Sequence, residues 1–115
     1  MSNTDRFLDY IAAYARKDLA AIGAMLADDV QLRDWNLAVR GKEAALAETA
    51  RNFAAAATID IETLALYTSE DAVAGELRIV LDQHEALHVV DVLSFNAEGA
   101  IVSIRAYLGR GNGAA

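Results

Sequence analysis

The chain has 115 residues, of which 55% are hydrophobic, with a net charge of −7 and no cysteine or proline. This length fits one domain over 1–115, with enough apolar residues to form a core without disulfides. The acidic balance disfavours nucleic acid and anionic membrane surfaces as partners, and the lack of cysteine excludes thiol catalysis. No signal peptide or membrane span is recognised, so we expect a cytoplasmic location.

The first half of the sequence predicts mainly helices. Thr4 is a plausible N-cap for the first helix and Asp18 for the second, because short polar side chains bond the free N–H groups of a first turn. Ala27–Asp29 is expected to end the second helix. The predicted elements are helices over Thr4–Ala15, from Asp18 to Leu26 and over Lys42–Ala56, a short strand over Val30–Leu32, and a loop over Asp34–Arg40.

The second half of the sequence predicts strands joined by turns. The predicted strands are Ile59–Tyr67, Ala72–Leu81, Ala86–Phe95 and Ile101–Leu108, with a tight turn at Asn96–Gly99 and a flexible tail at 109–115. Helices followed by hairpin-linked strands indicate an α+β fold. A sheet covered by helices on one face must curve around them, and such a concavity forms a pocket.

Asp91 breaks the pattern of its strand. Side chains of a strand alternate between faces, so Asp91 shares a face with the large apolar residues at the odd positions, Leu87, Val89, Leu93 and Phe95. A carboxylate on a buried face is costly when ionised, which favours a protonated acid that can donate a hydrogen bond. The alternative is that this face is solvated, or that Asp91 caps a nearby backbone group. By themselves, Asp34 is typical of a turn and Tyr10 of core packing.

His84-Glu85-Ala86-Leu87-His88 matches a zinc-binding pattern that works only on a helix. Here the segment enters a strand, where four residues separate the two histidines by about 13 Å. No metal site and no organic cofactor is therefore expected.

The segments around Tyr10, Asp18–Ile22, Leu26–Val30 and Asp34, and later Val90–Phe95 and Ile104–Tyr107, resemble bacterial ketosteroid isomerases. These enzymes belong to the nuclear transport factor two-like (SnoaL-like, cone) superfamily. The resemblance covers about 7–108 and implies a cone-shaped, mixed or antiparallel sheet wrapped around three helices.

The resemblance also implies roles for three residues. Asp34 takes the position of the base that moves a proton between two carbons of a ketone. Tyr10 and a protonated Asp91 take the positions of the donors to the dienolate oxygen, a neutral-acid role for which this family is the standard example. A small apolar ligand is the expected partner. The candidate pocket residues are Trp35, Phe53, Val89, Leu93, Ile104 and Leu108.

Two other functions remain open at this stage. One is a cyclase or dehydratase that uses the same Asp34, and the other is a domain that only binds a ligand or dimerises. The sheet face that the helices leave open predicts a homodimer, with Val90, Val92 and Tyr107 in the contact.

Overall fold

The computed structural model describes residues 1–111 and confirms the α+β class with a curved sheet around three helices. The elements in chain order are α1 Asn3–Ala15, α2 Leu19–Met25, β1 Leu26–Arg33, β2 Ala38–Arg40, α3 Lys42–Ala55, β3 Ile59–Thr68, β4 Ala72–Leu81, β5 Glu85–Phe95 and β6 Ile101–Leu108. Within the described residues, no helix has the length and apolar character needed to cross a membrane.

The six strands form one sheet in the order β2-β1-β6-β5-β4-β3. β1 and β6 run parallel, and every other neighbouring pair is antiparallel. The register shifts between Thr63 and Ala65 on β3 and between Ser94 and Phe95 on β5. Such irregularities bend strands. The sheet therefore curves, with α1 packed on β3 and β4 and α3 packed on β1 and β2.

Helix α1 begins at Asn3, one residue earlier than the sequence predicts. Ser2, not Thr4, is the N-cap: its Oγ accepts the Asp5 N–H at 3.1 Å, while the Asp5 carboxylate accepts the Ser2 N–H at 3.3 Å. This reciprocal pair satisfies two free N–H groups at once, which a cap at Thr4 would not. The prediction for α2 is confirmed, because the Asp18 carboxylate accepts the Ala21 N–H at 3.0 Å.

The region between α2 and α3 has more strand than predicted. β1 starts at Leu26, directly after α2, because Leu26 pairs with Ile101 of β6 before the register shifts. The predicted loop contains β2, which pairs with β1 through Leu32 and Val39. A three-residue strand has too short a pattern to be recognised from alternation, and only its pairing with β1 defines it.

The core lies between the concave face of the sheet and the three helices. Gly75 of β4 marks the closest approach of helix and sheet, since a Cβ there would lie 2.5 Å from the Phe7 ring. Phe7 occupies the space that a side chain at 75 would fill. The largest fully buried side chains are Phe7, Ile22, Val30, Val73, Leu77, Leu93 and Ile101.

The chain continues past β6 beside β5. The Gly109 N–H donates to the His88 carbonyl at 2.7 Å, and Gly111 lies against the His88 imidazole. Of the tail predicted over 109–115, the last four residues lie outside the described part of the chain.

Candidate functional site

A cavity of about 480 Å³ lies between α1, α3 and the concave face of the sheet. Its wall is mostly apolar, with a few polar side chains. The residues that line it are Tyr10, Ile11, Tyr14, Leu32, Asp34, Trp35, Asn36, Thr49, Asn52, Ala55, Ala56, Ile59, Ile61, Ile79, Leu81, Asp82, His84, Glu85, Leu87, Val89, Asp91, Ile104 and Ala106. This combination of apolar wall and few polar groups is typical of a small-molecule site.

Tyr10 reaches the cavity from the buried face of α1. Phe7, Tyr10, Ile11 and Tyr14 recur at the spacing of one helix face. Tyr10 is 4% exposed. Its pKa is raised well above the ordinary value, first by burial, then by the nearby Asp91 carboxylate and by Tyr14. The Tyr10 hydroxyl therefore stays protonated, and Tyr10 belongs to the wall, where a ligand in the cavity can accept its hydrogen.

Asp91 lies on the inner face of β5, where alternation predicts it. Its cross-strand neighbours are Gly75 on β4, against which the Phe7 ring packs, and Ala106 on β6, which lines the cavity, and neither residue offers a charge or a side-chain donor. Burial raises the pKa of Asp91 from its ordinary value to about 7. The accessible part of the side chain belongs to the cavity wall. Near neutral pH, a substantial fraction of this carboxyl is a neutral acid.

Asp34 follows β1 and lines the same cavity, and the strand register places it level with Asp91. Its Oδ1 accepts the N–H groups of Asn36 at 2.7 Å and Leu37 at 3.0 Å, and its own N–H donates to the Leu37 carbonyl at 2.9 Å. Asp34 thus closes the turn between β1 and β2, as a turn aspartate does. These bonds use Oδ1 and fix the carboxylate, so Oδ2 remains for a ligand.

Sequence reasoning missed a second polar pair in the wall, Tyr14 and Asn52. The Asn52 amide donates to the Tyr14 hydroxyl oxygen at 3.0 Å, which leaves the Tyr14 hydrogen free to be donated. Burial raises the pKa of Tyr14, the bond from Asn52 opposes that shift, and the Asp91 and Asp34 carboxylates add to it. Both carboxylates therefore act on this hydroxyl. Tyr14 follows Tyr10 by four residues on the same face of α1, and this spacing is the signal in the sequence that could have revealed Tyr14.

The structure brings together the three residues predicted to be catalytic and half of the predicted pocket residues. Tyr10, Asp34 and Asp91 share one cavity with Trp35, Val89 and Ile104. The other three predicted pocket residues lie elsewhere. Leu93 is fully buried in the core, Phe53 packs edge-on against the Tyr14 ring at 5.0 Å, and Leu108 is 46% exposed at the end of β6.

The two histidines of the zinc-like pattern lie in different surroundings. His84 is in the β4–β5 turn at the cavity mouth, and His88 is in β5 beside Gly111. Across residues 1–111, no cluster of three or more histidine, aspartate or glutamate side chains is arranged to hold a metal ion.

Fold and cavity together define a class, the cone-shaped α+β domains with a ligand cavity inside the sheet. Solved structures of low identity share this fold. A nuclear transport factor two-like protein of unknown function from Cytophaga hutchinsonii has a TM-score of 0.80 at 13% identity, over 95% of this chain and 91% of that one. A ketosteroid isomerase candidate from Kribbella flavida has a TM-score of 0.77 at 15% identity, over 93% and 77%. An LEH-like epoxide hydrolase from M. tuberculosis has a TM-score of 0.74 at 17% identity, over 90% and 79%.

The sequence narrows this class to one family. The model of the SnoaL-like domain matches residues 7–104, so the chain belongs to the SnoaL-like domain family. No curated protein matches the sequence. The low identity of the solved structures means that they support the fold and not an activity.

Proposed function

We propose that this protein is a cofactor-independent isomerase that moves a proton within a small apolar ketone. The observation that supports this proposal most is the presence of Tyr10, Asp34 and Asp91 in the wall of one largely apolar cavity. Asp34 Oδ2 removes a proton from the carbon next to the carbonyl. Tyr10 and neutral Asp91 donate hydrogen bonds to the oxygen of the resulting dienolate, and Asp34 returns the proton to a different carbon.

The environments of the two carboxyl groups suit these different roles. Asp91 has a pKa raised to about 7 by burial, so it can hold a proton and donate it in a hydrogen bond. The Asp34 carboxylate is oriented in the cavity wall by two backbone N–H groups. Separating a donor acid from a base in this way is how paired carboxylates divide acid and base work.

Substitutions at Asp34 and Tyr10 test the proposal. Asp34→Asn should abolish isomerisation of a β,γ-unsaturated ketone, because an amide cannot accept the proton. The turn should survive, because an amide oxygen accepts the same two N–H groups. Tyr10→Phe should lower turnover by about 10²–10³, since one of two donors is lost. Asp60→Asn and Tyr67→Phe, both at exposed positions of β3, are the matched controls and should leave turnover unchanged.

Binding separates an isomerase from a simple pocket. A planar phenol resembles the dienolate and needs the donors more than the base, so its affinity should survive Asp34→Asn but fall with Tyr10→Phe. Phenol binding without turnover of any ketone would favour the ligand-binding alternative. If both variants keep full turnover and full phenol binding, the proposed roles of Asp34 and Tyr10 are wrong.

A second candidate function is supported by the Tyr14–Asn52 pair. These polar groups share the wall with Asp34, so this part of the cavity has the polar groups to bind a water molecule beside a base. Such a site would suit a hydrolase like the epoxide hydrolase of M. tuberculosis, or a cyclase or dehydratase that uses Asp34. Turnover of small epoxides, measured with the same variants, distinguishes this candidate from the isomerase.

A homodimer and a cytoplasmic location complete the proposal. Val90 and Val92 are half-buried on the face of β5 opposite the cavity, and Tyr107 is 48% exposed beside them on β6. The Tyr107 hydroxyl accepts a hydrogen bond from Arg33 at 2.7 Å, which fixes an aromatic ring on this surface. Ordered apolar and aromatic groups on an open sheet face suit a contact between two copies.

A further inference from the structure

The charges of the cavity wall suggest which ligands it accepts. Its ionisable acids are Asp34, Asp82, Glu85 and Asp91, whereas no lysine or arginine of residues 1–111 lines it. His84 is the only wall residue described that can carry a positive charge. An anionic ligand would therefore lose its hydration without gaining a cationic partner, which is costly.

Two cations near the cavity are held by other groups, and only one of them points away from the wall. Arg33 precedes Asp34, but strand alternation places it on the outer face, where it bonds the Tyr107 hydroxyl and lies 5.7 Å from that ring. Lys17 follows α1, and its ammonium donates to the Ala56 carbonyl. Arg33 therefore does not neutralise the acids of the wall, and Lys17, bound at Ala56 beside the backbone groups that Asp82 accepts, adds positive charge on the Asp82 side of the mouth and makes no ion pair with Glu85 within residues 1–111.

The acids of the wall are also arranged by depth. Glu85, Leu87, Val89 and Asp91 alternate along the inner face of β5, and all four line the cavity. Asp91 and Glu85 are six residues apart, which corresponds to about 20 Å along a strand. Asp91 lies with Tyr10 at the buried end, and the pairing of β1, β6 and β5 places Asp34 level with Asp91, whereas Glu85 and Asp82 are exposed and lie at the mouth. Apolar side chains separate the two ends.

The two acids of the mouth differ, since Asp82 is held by the backbone and Glu85 is not. Asp82 Oδ1 accepts the N–H groups of Ala57 at 2.6 Å and Thr58 at 3.1 Å, which ties the β4–β5 turn to the start of β3. Glu85 makes no ion pair within residues 1–111 and is exposed, so its carboxylate is free for a ligand.

We propose that the cavity selects elongated apolar ligands with an oxygen at the buried end and a protonated amine at the mouth, and that it rejects carboxylates and phosphates. Tyr10 and Asp91 bind the oxygen, and Glu85 pairs with the amine, while Asp34 and Asp82 add to the negative potential. This inference builds on the proposed function, because it names the substrate class of the same site. It concerns binding and does not depend on turnover.

Three ligands with one body test this selectivity. A hydroxyterphenyl, its aminomethyl derivative and its carboxylate derivative, each substituted at the end away from the phenol, are titrated calorimetrically at low salt. The amine should bind about five-fold more tightly than the neutral phenol, and the carboxylate at least about ten-fold more weakly, for a partly exposed charge at such a mouth. Added salt should reduce both differences.

Glu85→Gln and Glu98→Gln distinguish the effect of a charge at the cavity mouth from the effect of the net charge of the whole chain. Glu98 lies in the β5–β6 turn, outside the wall of this cavity, and both substitutions remove one negative charge from a chain of net charge −7. Glu85→Gln should lower the preference for the amine about three-fold, and Glu98→Gln should leave it unchanged.

Each outcome has a definite meaning. Equal effects of the two substitutions, or a carboxylate that binds as well as the amine, would overturn the proposed selectivity even if a ketone is isomerised. The predicted order of affinities without any turnover would support the selectivity while the proposed isomerase fails. If none of the three ligands binds, the cavity is not a ligand site and both proposals are wrong.

Discussion

Replacing Asp91 with asparagine should stabilise the protein at alkaline pH. Burial raises the pKa of Asp91 from 3.8 to about 7, because the ionised form loses its hydration between Gly75 and Ala106. Below pH 4 the carboxyl is protonated in the folded and the unfolded chain alike. Between about pH 4 and 7 the folded chain holds a proton that the unfolded chain has released, so stability falls as pH rises. Above about pH 7 Asp91 is ionised in both states, and the protein has lost all of the stability that depends on this proton.

The shift from 3.8 to about 7 corresponds to about 4 kcal/mol at about 1.36 kcal/mol per pH unit. This is the maximum gain for Asp91→Asn above pH 7, since water in the cavity would reduce it. The gain should shrink towards zero at pH 4, because asparagine and protonated aspartate have similar size and polarity.

The assay is denaturant unfolding of both proteins at several pH values from about 4 to 8. The difference between the two free energies of unfolding isolates Asp91, because the other carboxylates are common to both. A difference that does not change with pH, or an Asp91→Asn variant that is less stable at pH 8, would refute the account of a buried acid. It would also remove the proposed donor role.

Three other predictions concern packing, assembly and metal. Gly75→Ala should cost about 1–3 kcal/mol of unfolding free energy, since its Cβ would lie 2.5 Å from the Phe7 ring, whereas equal stability would show that α1 can move away from β4. Light scattering at micromolar concentration should give a dimer, and only the 12.3 kDa monomer would contradict the assignment of the open sheet face. A chelator should leave unfolding and turnover unchanged, because His84 and His88 are about 13 Å apart along the chain, and stoichiometric zinc that survives dialysis would refute this.

The sequence was sufficient where the signal is local. Alternation in β5 predicts the face of Asp91 from its own strand, and the structure places Asp91 on that inner face. The bounds of β4 and β6 are also as predicted, because each strand is a run of strand-forming residues between two turns. The α+β class follows from the order of these elements.

The sequence was insufficient where the arrangement depends on tertiary packing. Phe53 and Leu93 both face inward, but whether an inward residue lines the cavity or fills the core depends on how deeply the helices insert. Tyr14 and Asn52 are 38 positions apart in the chain and meet only because α1 and α3 lie over the same concavity. No periodicity within either helix reveals such a pair.

Isotope transfer tests the central claim most directly. A β,γ-unsaturated ketone deuterated at the carbon between the carbonyl and the double bond is incubated with the protein, and the conjugated product is analysed by mass spectrometry and NMR. If Asp34 carries the proton from one carbon to the other, the product should hold deuterium at the distant carbon, and Asp34→Asn should form no product. Absence of the conjugated ketone with the unaltered protein, or its undiminished formation by Asp34→Asn, would contradict the account.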